Sequence, residues 1–181
     1  MIYNETIKLK NNATCLLRNE EKSDAKAFLD YYIKCHEETD FLLTYPDETK
    51  RSLEDMEKKF NEIVENDSNI EIVATIQGKI VGSAGINKIK DCYKIKHRAE
   101  FGVSVLKEYW GLGIGTALTK ACIECAKKMN FIQLELDVVS DNINAIELYS
   151  KFGFVEYGRN PKGFRSRSGK WQELVLMRLE L

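Results

Sequence analysis

Residues 98–129, RAEFGVSVLKEYWGLGIGTALTKACIECAKKM, decide the fold of this chain. In the first eight residues, Phe101, Val103 and Val105 alternate with small or polar residues, and this period of two predicts a β-strand. From Ile114 onward, apolar residues recur at every third or fourth position, which predicts a helix with one buried face. We therefore expect a strand, a short turn and a helix, in that order.

Glycine stands at Gly111, Gly113 and Gly115, where the predicted helix begins. Glycine has no Cβ atom, so a ligand can approach the main chain closely at these positions. The first N–H groups of a helix lack main-chain partners and lie at the positive end of the helix dipole, which favours a bound anion. The turn therefore predicts a binding site for a phosphate or a pyrophosphate.

Two common phosphate-binding motifs do not fit this turn. A P-loop has Lys and then Ser or Thr directly after its last glycine, whereas Thr116 follows Gly115 here and the next lysine is Lys120. A dinucleotide-binding fingerprint has the spacing G-x-G-x-x-G within a series of parallel βα units. The spacing here is G-x-G-x-G, so neither motif accounts for the glycines.

The composition is that of one soluble globular domain spanning residues 1–181. Hydrophobic residues make up 44% of the chain and charged residues 30%, both of which are ordinary values. The net charge of −1 gives no reason to expect nucleic acid or a membrane as a partner. The N-terminal residues lack the apolar core of a signal peptide, so the expected location is the cytoplasm.

The five cysteines are irregularly spaced, which suits free thiols in a reducing compartment. Cys122 and Cys125 form a C-x-x-C pair, but they lie on the apolar face of the predicted helix. We expect both to be buried as small hydrophobic residues, because a zinc site needs two further ligands. No bound metal is expected.

The remaining segments predict an α+β fold. They are an N-terminal hairpin, a helix capped by Ser23, an apolar loop at 37–48, a helix at 49–65, an antiparallel meander from residue 70, a strand at 131–139, a helix at 141–152, and two strands around a basic loop at 159–170. The inward faces of the first two helices are predicted to hold Ala25, Phe28, Leu29, Tyr32, Ile33 and His36, and Leu53, Met56, Phe60, Ile63 and Val64. Strands 98–105 and 131–139 are expected to be parallel, because a helix connects them.

Two motifs give the chain a resemblance to a known family. The sequence W-G-L-G-I-G at 110–115 is similar to the family signature Arg/Gln-x-x-Gly-x-Gly/Ala, with Trp110 replacing the usual first residue. A second signature, Asn-x-x-Ala-x-x-Leu-Tyr-x-x-x-Gly-Phe, is matched at Asn142, Ala145, Leu148, Tyr149, Gly153 and Phe154. The chain thus resembles the GNAT superfamily of acyl-CoA-dependent N-acetyltransferases. That resemblance implies a mixed, mostly antiparallel sheet with a splayed parallel pair in the middle and about four flanking helices.

The resemblance implies acetyl-CoA as co-substrate. The main chain of Val103, Ser104 and Val105 would pair with the pantetheine arm as a further strand would. The residues implied for the pyrophosphate and the rest of the cofactor are Trp110, Gly111, Leu112, Gly113, Ile114, Gly115, Thr116 and Asn142. Trp110 would remove a side-chain contact to the pyrophosphate but leave the main-chain contacts intact.

The resemblance also implies catalytic residues. Tyr149 corresponds to the tyrosine that protonates the departing CoA thiolate. Glu100, on the predicted strand before the glycines, is the first candidate for the base that deprotonates the amine, acting through water. Glu135 and Asp137 are alternatives, because they share one face of a predicted central strand. His97 is interpreted as a solvated strand residue.

The acceptor would lie under the apolar loop between the first two helices. Its implied substrate residues are Glu38, Asp40, Phe41 and Tyr45, of which the carboxylates could receive a cationic amine. The basic residues Arg159, Lys162, Arg165, Arg167 and Lys170 are interpreted as a solvated hairpin loop, with attraction of an anionic substrate or of the CoA 3′-phosphate as the alternative.

These residues predict transfer of an acetyl group from acetyl-CoA to a primary amine by direct attack in a ternary complex. The acceptor could be a small amine or a protein N-terminus, since some family members with tryptophan at this position act on protein N-termini. A non-catalytic acyl-CoA-binding sensor is the alternative outside the enzymes. Homodimerisation is left open.

Overall fold

The computed structural model describes residues 2–48, 52–56, 58, 60 and 69–181. The strands are β1 (Asn4–Lys8), β2 (Thr14–Asn19), β3 (Asn69–Ile76), β4 (Lys79–Lys88), β5 (Arg98–Val105), β6 (Gln133–Val139), β7 (Val155–Arg165) and β8 (Trp171–Glu180). The bounded α-helices are α1 (Ala25–Glu37), α2 (Ile114–Lys128) and α3 (Ile143–Lys151). Within the described residues, the eight strands form one sheet in the order β1-β2-β3-β4-β5-β6-β8-β7.

The parallel pair in the middle of the sheet is short. Strands β5 and β6 are parallel, and the last residues to pair are Glu100 and Glu135. Beyond them β5 continues to Val105 and β6 to Val139, so the strands separate while each keeps its antiparallel neighbour. The predicted α+β sheet with a splayed parallel pair is therefore confirmed.

Helix α2 covers the sheet on the side of the larger core. It buries Ile114, Leu118, Cys122 and Cys125 against strands β3, β4 and β5. Burial raises the pKa of the Cys125 thiol to about 11, which keeps it protonated at neutral pH. Both cysteines of the C-x-x-C pair are therefore core residues, as predicted. None of the described helices is long and apolar enough to cross a membrane.

Helix α1 covers part of the opposite face, and its buried side differs from the predicted one. Tyr31 and Cys35 are buried together with Ala25 and Phe28, whereas Tyr32 and His36 are only partly covered. The shift arises because the Tyr31 hydroxyl finds a partner in β5. The predicted Ser23 cap is also wrong.

A capping box formed by Glu21 and Asp24 starts the short 3-10 turn Lys22–Asp24, which leads into α1. Asp24 also accepts two hydrogen bonds from Arg18 at 2.6 and 2.9 Å. This carboxylate therefore joins the helix start to β2.

The predicted second helix is described only in part. Residues 53–56, 58 and 60 are helical, and Met56 and Phe60 are buried against α1, as predicted. Leu53 is exposed rather than inward. Ile63 and Val64 lie outside the described residues.

The predicted basic loop at 159–170 is mostly strand. Strand β7 continues to Arg165 through two irregularities in its register with β8, and the turn occupies only residues 166–170. The proline at position 161 is tolerated within the strand because β7 lies at the edge of the sheet. Gly163 is needed because a Cβ atom there would clash with the Leu174 side chain.

Candidate active site

A cavity of about 730 Å³ opens beside the part of β5 that lies beyond the last parallel pair. Its walls come from the end of β5, the loop before α2, the first turn of α2, helix α3, and the end of α1 with the loop that follows. The predicted site residues that line it are Glu38, Phe41, Val103, Ser104, Val105, Trp110, Gly111, Gly113, Ile114, Gly115, Thr116, Asn142 and Tyr149.

The glycine-rich loop has a backbone that only glycine adopts readily. Gly111 has φ 76° and Gly113 has φ 96°, and Gly113 is the N-cap of α2. Open space surrounds the position that a Cβ atom would take at either residue, so the main chain is accessible from the cavity. The Leu112 side chain packs against the core and its carbonyl accepts a hydrogen bond from the Lys10 N–H at 3.2 Å. The β1–β2 turn thus supports the loop from outside.

Trp110 contacts the end of β5 directly. Its indole N–H donates a hydrogen bond of 2.6 Å to the carbonyl of Val105. The ring lines the cavity and is half exposed. The tryptophan that replaces the family's Arg or Gln therefore joins the glycine-rich loop to the strand beside it.

Tyr31 of α1 holds the last residues of β5 from the other face of the sheet. Its hydroxyl lies 2.9 Å from the carbonyl of Ser104 and 2.7 Å from the Ser104 hydroxyl. Burial raises the pKa of Tyr31 well above its usual value, so the phenol is neutral. Sequence patterning missed this residue because it assigned Tyr32 to the buried face.

Tyr149 lies on α3 among aromatic side chains. Its ring meets Phe101 edge-on with the centroids 6.1 Å apart, and the centroid of Phe154 is 5.8 Å away. The side chain is buried but lines the cavity. Burial raises the pKa of Tyr149 to about 12, so the phenol carries its proton at neutral pH.

Asn142 stands at the N-cap of α3, but its side chain makes no capping hydrogen bond. Its main-chain carbonyl instead accepts the N–H groups of Ala145 and Ile146 at 3.1 Å each. The residue lines the cavity. Asn142 therefore borders the cavity without capping the helix through its side chain.

The three candidate carboxylates lie near the splayed pair but outside the cavity lining. Glu100 is exposed on β5, opposite Glu135 in the register. Glu135 accepts two hydrogen bonds from the Arg98 guanidinium, which lowers the pKa of the carboxyl. Burial, and then the charge of Glu135, raise the pKa of Asp137 above its usual value.

Strand alternation places Asp137 on the same face as Glu135, two residues beyond the last β5–β6 pair. Asp137 therefore lies where the strands have begun to separate. His97 is exposed just before β5 begins, whereas the strands separate further along β5, after Glu100.

The loop after α1 divides the predicted substrate residues. Glu38 lines the cavity, but its carboxylate accepts the N–H of Lys107 at 2.7 Å. Phe41 also lines the cavity, whereas Asp40 and Tyr45 do not. Asp40 and Tyr45 instead contact the β7–β8 hairpin, a contact that connects residues more than 120 positions apart and has no local sequence signal.

The basic residues of this hairpin have acidic or aromatic partners. Arg159 pairs with Glu156 and Glu173, and Arg167 pairs with Asp47. The charged groups of Lys162 and Arg165 lie 5.5 and 5.3 Å from the centroid of the Trp171 ring. These contacts favour a structural role for the cluster over attraction of an anion.

Known proteins share this architecture. The acetyltransferase of the GNAT family from Streptococcus pneumoniae superposes with a TM-score of 0.89 and 29% identity, covering 92% of this chain and 99% of that one. Ribosomal-protein-alanine N-acetyltransferase from Brucella melitensis gives a TM-score of 0.81 and 26% identity, covering 91% of this chain and 99% of that one.

The sequences agree with the structures. L-amino acid N-acetyltransferase AaaT of Escherichia coli K12 is 32% identical over 108 residues, which are 59% of this chain and 65% of that protein. The chain spans less than two thirds of the length of the first curated relatives that it matches, between 55% and 65%. The sequence pattern of the acetyltransferase (GNAT) family matches residues 26–154. The chain therefore belongs to the GNAT acetyltransferase family.

Proposed function

We propose that the chain transfers the acetyl group of acetyl-CoA to a primary amine by direct attack in a ternary complex. One observation carries the proposal. A single cavity joins the main chain of the glycine-rich loop, the unpaired edge of β5 and the buried phenol of Tyr149. These are the parts needed to hold a pyrophosphate, to align a pantetheine arm and to protonate a thiolate.

The pyrophosphate would lie at the start of α2. Main-chain N–H groups beside Gly111 and Gly113 have open access to the cavity, and each hydrogen bond to a charged oxygen contributes about 1.5–3 kcal/mol. Asn142 would donate its side-chain amide to the same ligand. The pantetheine amides would pair with the main chain at Val103, because none of the described strands pairs with β5 on that side beyond Glu100.

The amine nitrogen would attack the thioester carbonyl carbon, and the carbon–sulfur bond would break. The departing thiolate takes the phenolic proton of Tyr149, whose pKa of about 12 keeps that proton available at neutral pH. Cys35 is the only cysteine among the described residues that line the cavity. Burial raises the pKa of its thiol to about 11, which disfavours a covalent route through an acyl-cysteine.

Asp137 is our first choice for the base. Glu135 is held by Arg98, and its lowered pKa makes it a weak proton acceptor. Glu100, the first candidate from the sequence, is exposed on the paired part of β5 and stays the alternative. Asp137 is exposed as well, but it lies beyond the last β5–β6 pair, and its raised pKa brings its basicity closer to that of the amine.

The acceptor class follows from the named relatives. The E. coli relative acts, by its name, on L-amino acids, and the Brucella structure is named for alanine of ribosomal proteins. We place small primary amines first and protein N-termini second, because the E. coli protein matches 59% of this chain, whereas the N-alpha-acetyltransferase of Sulfurisphaera tokodaii matches 46%, at 34% identity. Homodimer formation stays a prediction.

Two measurements test the proposal. Calorimetry with acetyl-CoA should show one site per chain, and mass spectrometry should show acetylated product from L-methionine, L-phenylalanine, spermidine or a hexapeptide beginning with alanine. Product detection avoids interference from the five thiols of the protein. Acetyl-CoA binding without any acetylated product would favour the sensor, and the absence of binding would refute both.

A further inference from the structure

The loop at residues 38–48, here the acceptor loop, is joined to the β7–β8 hairpin on the side away from the cavity. Arg167 donates two hydrogen bonds to the Asp47 carboxylate, at 2.7 and 2.8 Å. The guanidinium of Arg167 lies 4.2 Å from the centroid of the Tyr45 ring, and the main-chain N–H of Arg167 donates to the Tyr45 hydroxyl at 3.0 Å. Gln172 adds a hydrogen bond of 3.1 Å to the carbonyl of Asp40.

The acceptor loop is held at both ends. At its start, the Glu38 carboxylate accepts the Lys107 N–H, directly after β5. At its end, Asp47 and Tyr45 hold the hairpin through Arg167. Between these two anchors, residues 39–45 form neither helix nor strand, although Phe41 and Leu42 line the cavity. The position of these two side chains therefore depends on contacts made outside the cavity.

We propose that Arg167 is a positioning residue that holds the acceptor loop over the cavity and thereby sets the KM for the amine. The inference rests on the proposed acetyl transfer. Arg167 does not line the cavity, so it acts through the loop and has no contact with the reacting atoms. One guanidinium nitrogen, Nη2, donates to both Asp47 oxygens while the planar guanidinium lies over the Tyr45 ring, and lysine has no planar group that could lie there.

The chain offers a matched control in Arg159. This residue lies on the same hairpin and also donates paired hydrogen bonds to a carboxylate, that of Glu156, at 2.7 and 2.8 Å. Its contacts stay within β7 and β8, however, and none reaches the acceptor loop. Arg159→Ala therefore removes a more extensive surface ion pair of the same hairpin, with two donor nitrogens on Glu156 and a third on Glu173, without releasing the loop.

The first experiment needs no acceptor. Hydrogen–deuterium exchange of the full chain should show faster exchange across residues 38–48 in Arg167→Ala than in the wild type, with no change there in Arg159→Ala. Equal exchange in the two variants would overturn the inference. Thermal unfolding of both variants measures how far each substitution affects the whole fold.

The second experiment is kinetic and uses L-phenylalanine and the alanine hexapeptide as probes. For Arg167→Ala we expect the KM of the amine to rise about threefold to tenfold, because the lost contacts are exposed to solvent. The kcat and the acetyl-CoA affinity should stay within about twofold of the wild-type values. Arg167→Lys should lie between the wild type and Arg167→Ala, since it keeps the charge but loses the planar group over the Tyr45 ring.

The charge-reversed pair Asp47→Arg with Arg167→Asp gives a rescue. Each single change should raise the KM, and the double variant should recover part of the loss. An unchanged KM in Arg167→Ala, or a drop in kcat instead, would refute the positioning role while leaving acetyl transfer intact. A wild-type chain that acetylates none of the amines would refute the proposed function itself.

Discussion

The two ends of the cavity are built in different ways. At the end toward α2, the glycine-rich loop offers main-chain groups in a conformation set by Gly111 and Gly113. At the other end, side-chain contacts between the acceptor loop and a hairpin about 120 residues away hold the wall in place. The first arrangement depends on consecutive residues, whereas the second forms only after the sheet has brought distant residues together.

In the proposed function, this difference would separate the sites of the two substrates. A main-chain site binds a fixed chemical group and tolerates changes in the surrounding side chains. A wall held by side chains can change from one protein to the next without affecting the fold. We therefore expect substitutions at the two ends to act on different kinetic constants.

The largest effect is expected at Tyr149, which lies between the two ends. Tyr149→Phe removes the proton donor but keeps the ring against Phe101, so kcat should fall by roughly 10²–10⁴. Calorimetry should give an unchanged acetyl-CoA affinity. Tyr93→Phe, at a tyrosine that is 85% exposed, is the control and should leave both constants unchanged. A Tyr149→Phe variant with normal kcat would remove this phenol from the mechanism.

The next largest effect is expected at the base. Asp137→Asn should lower kcat by about 10² and remove the acidic limb of the pH–rate profile. Folding disfavours the charged form of Asp137, so the stability linked to its raised pKa is present below the usual value of 3.8 and is lost as the pH rises through the raised one. At pH 7 the asparagine variant should therefore melt no lower than the wild type.

Glu135→Gln is the matched contrast. Its pKa is lowered by Arg98, so its stability contribution is present above the usual value of 4.5 and is lost as the pH falls through the lowered one. At pH 7 this variant should melt below the wild type, because it weakens the pair with Arg98. If Glu135→Gln loses the acidic limb and Asp137→Asn keeps it, the assignment of the base is reversed. If only Glu100→Gln loses it, Glu100 is the base.

Sequence reasoning succeeded where the signal was local. The alternation at Phe101, Val103 and Val105 and the glycines that follow predicted the strand, loop and helix as they are found. The parallel pair followed from the connecting helix and the handedness of such connections. These features depend on neighbouring residues, so a pattern of a few positions was sufficient.

Sequence reasoning was insufficient where a contact between residues far apart in the chain determines the structure. Tyr31 rather than Tyr32 is buried because Ser104 lies opposite, and a helical period alone cannot distinguish two adjacent tyrosines at the edge of a face. Strand β7 continues past Pro161 because its register with β8 shifts there, and no local sequence pattern predicts such a shift. Asp40 and Tyr45 contact the hairpin and do not line the cavity, which their loop alone did not indicate, and their role in binding the substrate stays a prediction.

A smaller effect is expected when the main chain at the cofactor end is strained. Gly113→Ala forces an alanine into the left-handed region at φ 96°, which costs about 1–2 kcal/mol, and adds a methyl group at the start of α2. The acetyl-CoA affinity should fall about tenfold. Gly78→Ala, at φ 80° in the β3–β4 turn, carries the same strain away from the cavity. Equal losses of stability with equal acetyl-CoA binding would argue against the main-chain site.

The smallest effect is expected at Trp110, and its size decides whether the contrast between the two ends holds. Trp110→Arg restores the residue type usual in the family and places a cation beside the predicted pyrophosphate, so the acetyl-CoA affinity should rise about threefold and the gain should shrink with added salt. Trp171→Arg makes the same charge change at a tryptophan with matched exposure, 47% against 45%, outside the cavity, and should leave binding unchanged.

A gain of a hundredfold at Trp110 would mean that a side chain rather than the main chain dominates the cofactor end, and the two ends would then be built alike. A gain of the same few-fold size in both arginine variants would mean that net charge alone attracts the phosphates. Only a small, salt-sensitive gain confined to Trp110→Arg fits a loop whose amides already hold the pyrophosphate, because one exposed charge adds little to several main-chain hydrogen bonds that are already in place.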